Sequence, residues 1–196
     1  MSFDLFLALL GFAFATSVTP GPNNMMLLAS GVNFGVRRTL PHMLGISLGH
    51  ALMVFLMGLG LSGVFVAVPA ALTGLKVVSV VYMLWLAWKI AHASAPKPGQ
   101  AQGKPFTFLQ AAAFQWVNPK AWAMALGAIA NYAGGGMAAV ALVAVVFASV
   151  NLPSVALWAA AGEVLRGWLT DPLRLRVFNW TMAGLLVLSL LPVLQM

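Results

Sequence analysis

The chain has no cysteine and, in 196 residues, only three carboxylates and three histidines. Without cysteine there is no disulfide, no thiolate metal site and no cysteine nucleophile. Asp4, Glu163, Asp171, His42, His50 and His92 are the whole stock for acid–base or metal chemistry. No two histidines stand at i, i+4 and no segment carries two ligand-type carboxylates, so no metal site is expected. A Ser-His-Asp arrangement has no support either, because Asp4 and Asp171 fall at segment ends, away from His50. No cofactor and no enzymatic activity is expected. Charge is scarce as well: 7% of residues, against about 25% in a soluble domain. Disorder is thereby excluded, since disordered chains are polar and charge-rich. The ten Lys and Arg leave a net charge of +7, but they are too thinly spread to track phosphates, so no nucleic-acid partner is expected.

What is present is apolar sequence, 62% of the residues. Such a chain has lipid as its solvent, and in lipid every backbone group must be satisfied internally. A helical bundle or a closed barrel meets that demand, and long apolar runs select the bundle. At about 20 residues per span, the length accommodates six spans and no soluble domain. Ala13-Phe14-Ala15 looks like a signal-peptide cleavage site. No cation precedes the run, however, and Asp4 stands where one belongs, so the segment is read as a span.

The first apolar run, Phe3 to Val18, ends in Thr19-Pro20-Gly21-Pro22-Asn23-Asn24, which no continuous helix accommodates. Apolar sequence resumes and stops near Arg37-Arg38. Further spans are expected from Met43 to Val66, from Ala70 to Ala91, and from Phe106 to Tyr132 with an interruption at Asn118-Pro119-Lys120. The last two run from Ala138 to Gly162 and from Phe178 to Leu194, with a charged loop between them. Residues 93–105, rich in Pro and Gly, form a linker. The chain is thus one transmembrane domain with a first repeat at 1–92 and a second at 106–196.

Each half holds three segments, and in each the first is broken by Pro and Asn. Three is odd, so the halves cross the membrane in opposite directions. The fold class expected is all-α: six transmembrane segments as two inverted three-helix repeats with broken first helices, a transporter design that puts the binding site at the breaks. Eight of the ten cations fall in alternate loops: Arg37, Arg38, Lys89, Lys97, Lys104, Arg166, Arg174 and Arg176. The positive-inside rule puts those loops in the cytoplasm and both termini outside.

The candidate substrate-binding residues are Thr19, Pro20, Gly21, Pro22, Asn23, Asn24, Asn118, Pro119 and Lys120. The prolines free carbonyls from their helical partners, and the restarting helices offer positive N-terminal ends to a carboxylate. The Asn side chains donate and accept. A packed proline kink without a ligand is the bland alternative. Lys120 falls near mid-span, where a cation costs about 3 kcal/mol on insertion scales and needs a reason to be there; a snorkelling lysine is the alternative. His50 is the proton-coupling candidate, because no carboxylate lies mid-span. A neutral His50 donating to a neighbouring carbonyl or Asn fits equally well. His42 and His92 are read as interfacial, and Glu163 as paired with Arg166. Gly45-x-x-x-Gly49 is read as intramolecular packing, with a homodimer seam as the alternative. Asn151 and Pro153 interrupt the fifth span and line it or simply pack.

Several of these strings are familiar. Thr-Pro-Gly-Pro-Asn at 19–23 with the Arg37-Arg38 turn, Gly45-Ile-Ser-Leu-Gly-His50, Tyr82 to Ile90, Phe114-Gln-Trp-Val-Asn-Pro-Lys-Ala121 and Trp158 to Gly162 resemble, in order, the LysE/RhtB family of amino-acid exporters. Within it, the strings at 86–90 and 158 look most similar to the cysteine/O-acetylserine branch. The resemblance implies proton-driven export of amino acids or close derivatives across the bacterial inner membrane, with Thr19, Pro20, Pro22, Asn23, Asn118, Pro119 and Lys120 at the family's motif positions. The expected partners are a small amino-acid substrate and the lipid bilayer. The rival readings are a metal-cation exporter of related architecture and a non-transporting membrane subunit.

Overall fold

The computed structural model describes residues 1–61, 63, 67–92 and 104–191. Among them there are helices and turns but no strand. Seven α-helices follow in chain order: α1 (Phe3–Val18), α2 (Pro22–Leu56), α3 (Pro69–Ala91), α4 (Phe108–Phe114), α5 (Pro119–Tyr132), α6 (Met137–Leu165) and α7 (Pro172–Leu188). A π turn, Met57–Leu61, extends α2, and a 3-10 turn, Gln115–Val117, extends α4. Pro22–Leu61, Thr73–Ala91 and Met137–Leu165 are long and apolar enough to cross a membrane, and α1 is a shorter apolar helix. The first of these stretches is 40 residues. At 1.5 Å per residue that far exceeds a bilayer core of about 30 Å. The excess is taken up by a sharp bend at Gly35, whose φ of 76° lies where side-chain-bearing residues are strained.

The bend corrects the expected loop at Arg37-Arg38, because both arginines lie in the first turns of the restarted helix. Its exposed amide is satisfied from another element: the Val36 N–H donates to Glu163 Oε2 at 3.0 Å. Glu163 therefore closes the bend, where the sequence suggests an ion pair with Arg166. The Thr39 hydroxyl donates to the Gly35 carbonyl, 2.8 Å, and shares a buried hydrogen bond with Ser30, 2.8 Å. Arg174 and Arg176, expected in a loop, lie in α7, which starts six residues earlier than expected, at Pro172. The Asp171 side chain caps it by accepting from Leu173 N and Arg174 N. Most of the expected linker, residues 93–103, lies outside the described residues, as do 62, 64–66 and 192–196.

The surface is inverted relative to a water-soluble protein. Val78, Val81, Trp88, Leu109, Val164 and Leu173 are exposed, whereas Asn24, Thr39, His42, His50, Gln115, Asn118 and Asn151 are buried. In lipid there is no hydrophobic drive between helices, so association rests on close packing and interhelical hydrogen bonds. Glycines provide the close packing. A β-carbon at Gly31 would strike the Ala159 carbonyl, and one at Gly162 the Leu28 carbonyl, so α2 and α6 touch backbone to backbone. Gly45 and Gly49 meet Phe108, Ala111 and Ala112 in the same way. The Gly45/Gly49 face is thus filled by α4 of the same chain. The main pairings are α2 on α6, α2 on α4, α1 on α6 and α3 on α7.

The cation-bearing ends gather at one pole. Gly35 faces Glu163; Val32, Leu169 and Leu175 share an apolar cluster; and Phe34, Lys89 and Lys104 border one cavity.

Candidate functional site

Two helix breaks meet side by side. α1 stops at Val18, where Pro22 and the extended Gly21 prevent continuation, and the chain restarts at Pro22. The second break is shorter: Asn118 leaves the helical conformation, and α5 restarts at Pro119. Both prolines occupy the first helical position, where a missing N–H costs nothing. Asn118 caps α5, its Oδ1 accepting the Lys120 N–H at 3.2 Å.

The first break leaves carbonyls without helical partners, and each finds a side-chain donor. Asn24 Nδ2 donates to the carbonyls of Ser17 and Thr19, both at 2.8 Å. Trp158 Nε1 reaches the Val18 carbonyl at 3.0 Å. Lys120 Nζ donates to the Thr19 carbonyl at 2.6 Å, to Thr19 Oγ1 at 2.9 Å and to the Pro20 carbonyl at 3.4 Å. The cation of one break is therefore held by the acceptors of the other. Gly21 allows this approach: a β-carbon there would lie 2.7 Å from Lys120 Cδ.

A reciprocal amide pair adds a second link. Asn23 Nδ2 donates to Gln115 Oε1 at 2.9 Å, and Gln115 Nε2 donates back to Asn23 Oδ1 at 3.2 Å. Gln115 also donates to the Ala111 carbonyl, 2.9 Å. Around these contacts lies a cleft of about 20 Å³, bordered by Gly21, Asn24, His50, Asn118, Lys120 and Asn151, among others. That volume holds about one water. His50 is 1% exposed, its ring edge-on to Phe147 at 5.2 Å, and neither ring nitrogen has a partner. The hydrogen bond to a neighbouring carbonyl or Asn, the alternative reading of His50, is not present in this packing.

Of the nine candidate residues, Gly21, Asn23, Asn24, Asn118 and Lys120 border the cleft, as does His50. Thr19 and Pro20 are exposed and contribute oxygens to Lys120. Pro22 and Pro119 set the helix starts. His42, expected at an interface, is 1% exposed and packs on the Phe106 ring at 5.2 Å. Among the described residues no three of His, Cys, Asp or Glu gather at one point.

Two broken helices that exchange a cation for freed carbonyls are the kind of site secondary transporters build at their repeat interface. Comparison with known families agrees: residues 14–191 match the model described as LysE type translocator. The chain belongs to the LysE family. That family is one of translocators, not enzymes. The chain is 39% identical over 110 residues to proteins named cysteine/O-acetylserine efflux protein from Escherichia coli (strain K12) and Shigella sonnei (strain Ss046). The alignment covers 56% of this chain and 55% of each relative, so the chain spans about half the length of the curated relatives it matches. No solved structure matches it.

Sequence reasoning about this LysE-family chain missed Gln115 as a site residue. The available signal was a polar side chain in an apolar run, three residues before the Asn118 break. It also missed Ser17 and Thr16, which border the cleft from the last turn of α1.

Proposed function

We propose that the chain is a secondary exporter of amino acids or close derivatives across the bacterial inner membrane, driven by protons. The observation that carries this is the ion-like contact between Lys120 Nζ and the Thr19 and Pro20 carbonyls. It brings the two halves of a zwitterion's binding site together, already paired with each other. An incoming amino acid inserts between them. Its ammonium takes over the carbonyls released by the first break, and its carboxylate faces Lys120 and the N-terminus of α5. Hydrogen bonds to charged groups are worth about 1.5–3 kcal/mol each, so this exchange is close to balanced and reversible, as a transport site requires. The cleft admits only about a water, so the paired state is a closed one, and substrate entry needs the halves to part.

The inverted repeat supplies that motion. In this reading α1 corresponds to α4, the two halves of α2 to α5 and α6, and α3 to α7. The pairing of α1 with α6 and that of α4 with α2 exchange under this relation, while α3 with α7 maps onto itself. The cationic pole faces the cytoplasm and both termini lie outside. His50 carries the coupling proton, since it borders the cleft with both nitrogens unpartnered and no carboxylate does so. The relatives' names point to cysteine and O-acetylserine as substrates to try first.

The test is efflux from reconstituted vesicles with a panel of labelled amino acids that includes O-acetyl-L-serine, with and without an imposed proton gradient. Export of at least one, stimulated by the gradient, is expected; export of none would overturn the reading. His50→Gln should abolish the stimulation and leave gradient-free exchange. Full stimulation in that variant would remove His50 from the mechanism.

A further inference from the structure

A second cavity, separate from the cleft between the breaks, lies at the cationic pole. Its volume is about 190 Å³, against about 20 Å³ for the cleft. It has room for a small amino acid where the cleft does not. Lys89 and Lys104 stand on its rim, and Trp85 fixes the Lys89 ammonium over its ring at 4.6 Å. His42 borders it from within. Both His42 ring nitrogens are buried, and neither has a partner. A buried N–H without an acceptor costs about 1–3 kcal/mol, so a turn of the His42 ring that brings a nitrogen, now closed off, onto an oxygen-bearing guest is favoured. Two cations on the rim and no carboxylate in the lining, which also carries Ser30, Asn33 and Asn179, are the chemistry of a carboxylate site.

One face of α2 runs from the transport site to this cavity. Asn23, Met26, Ser30 and Asn33 recur at spacings of three and four on α2, which puts them in one row. Asn23 borders the cleft; Met26, Ser30 and Asn33 border the cavity. Met26, packed in a cluster with Met83, Phe114 and Met182, stands between the two. Unbranched thioether side chains re-pack at little cost, as a gate needs.

We propose that this cavity is a loading station: it binds the carboxylate of an amino acid through Lys89, Lys104 and His42, and Met26 then yields to pass the substrate along the row to Asn23. The proposal rests on the export reading above, because export makes the cationic pole the side from which substrate arrives. It extends that reading with a second binding site and a gate.

The absence of cysteine makes the test clean, since Asn33→Cys introduces the sole thiol. Asn33→Cys is combined with Lys120→Ala, which disables the site between the breaks. The thiol is labelled in inside-out vesicles with an anionic methanethiosulfonate. O-acetyl-L-serine should slow labelling at least threefold, and adding Lys89→Gln or His42→Gln should remove that protection. A panel of the other amino acids, without cysteine (whose thiol consumes the reagent), covers the case of a different substrate. Phe34→Cys on the same rim replaces Asn33→Cys if that variant does not accumulate. No labelling, or labelling that no amino acid slows, overturns the loading station. Protection by a short-chain phosphatidylglycerol and by no amino acid also overturns it, since the cavity would then belong to a lipid headgroup. Normal export by Lys120→Ala alone contradicts the reading of the breaks instead, so the two failures are told apart.

Discussion

The two helix breaks look alike in sequence and differ in chemistry. The break at 19–21 carries two exposed carbonyls, a hydroxyl and no charge; the break at 118 carries an Asn cap and a lysine at the second position of α5. One supplies acceptors, the other a donor. Had both supplied acceptors, neither break would have a donor for the other. Had both supplied cations, they would repel. The asymmetry lets each break satisfy the other, and in the proposed mechanism a zwitterion, itself half donor and half acceptor, replaces the contact.

The comparison is broken most directly at its donor. Lys120→Ala should lower export more than tenfold in a reconstituted efflux assay while folded yield stays near normal, because the freed carbonyls at Thr19 and Pro20 are exposed enough to take water.

The amide pair comes next. Gln115→Leu takes both partners from the half-buried Asn23 amide, and a lost hydrogen bond costs about 1 kcal/mol. A fall in thermal stability of several degrees and a several-fold loss of export are expected. Replacing both Asn23 and Gln115 by Leu should return most of the stability and none of the export, since an apolar pair needs no partner. Recovery of export in the double variant would mean that the pair is structural only.

Gly21→Ala probes how closely the breaks must approach. Its β-carbon meets the flexible Lys120 stem, not backbone, so the lysine shifts and the protein folds. Export should fall a few-fold, measured against Lys120→Ala, and the two substitutions together should do no more than Lys120→Ala alone.

Asp171 lies outside both breaks and gives the smallest effect. Backbone N–H groups of Arg174 and Leu173 hold its carboxyl below the usual range. A lowered value means that the cap is fully present above the ordinary carboxylate range, about 3.9, and is lost as pH falls through the folded-state value. Asp171→Ala should therefore be slightly less stable than the parent near neutrality, by thermal melts, with the difference vanishing in strong acid. Export should be unchanged.

The membrane class, the helical content and the two breaks were legible in the sequence because each rests on local chemistry. Apolar run length gives spans, and Pro beside Asn or Gly gives interruptions. The bend at Gly35 was not legible. Arg37-Arg38 reads as a loop, yet a single glycine reverses the chain, and Glu163, 127 residues away, satisfies the amide it exposes. The role of Gln115 depends on Asn23, 92 residues away, and no local pattern encodes that pairing. His42 was misread for a related reason: its position beside Pro41 suggests a span end, but Phe106 covers it from another element.

The central claim is that a substrate's carboxylate takes the place of the Thr19 and Pro20 carbonyls at Lys120. The most direct test compares uptake into inside-out proteoliposomes of an exported amino acid and of the amine that lacks its carboxylate. The parent protein should carry the amino acid and largely reject the amine. Lys120→Gln should lose most of that discrimination, chiefly by a slower rate for the amino acid. Unchanged discrimination in Lys120→Gln would contradict the account.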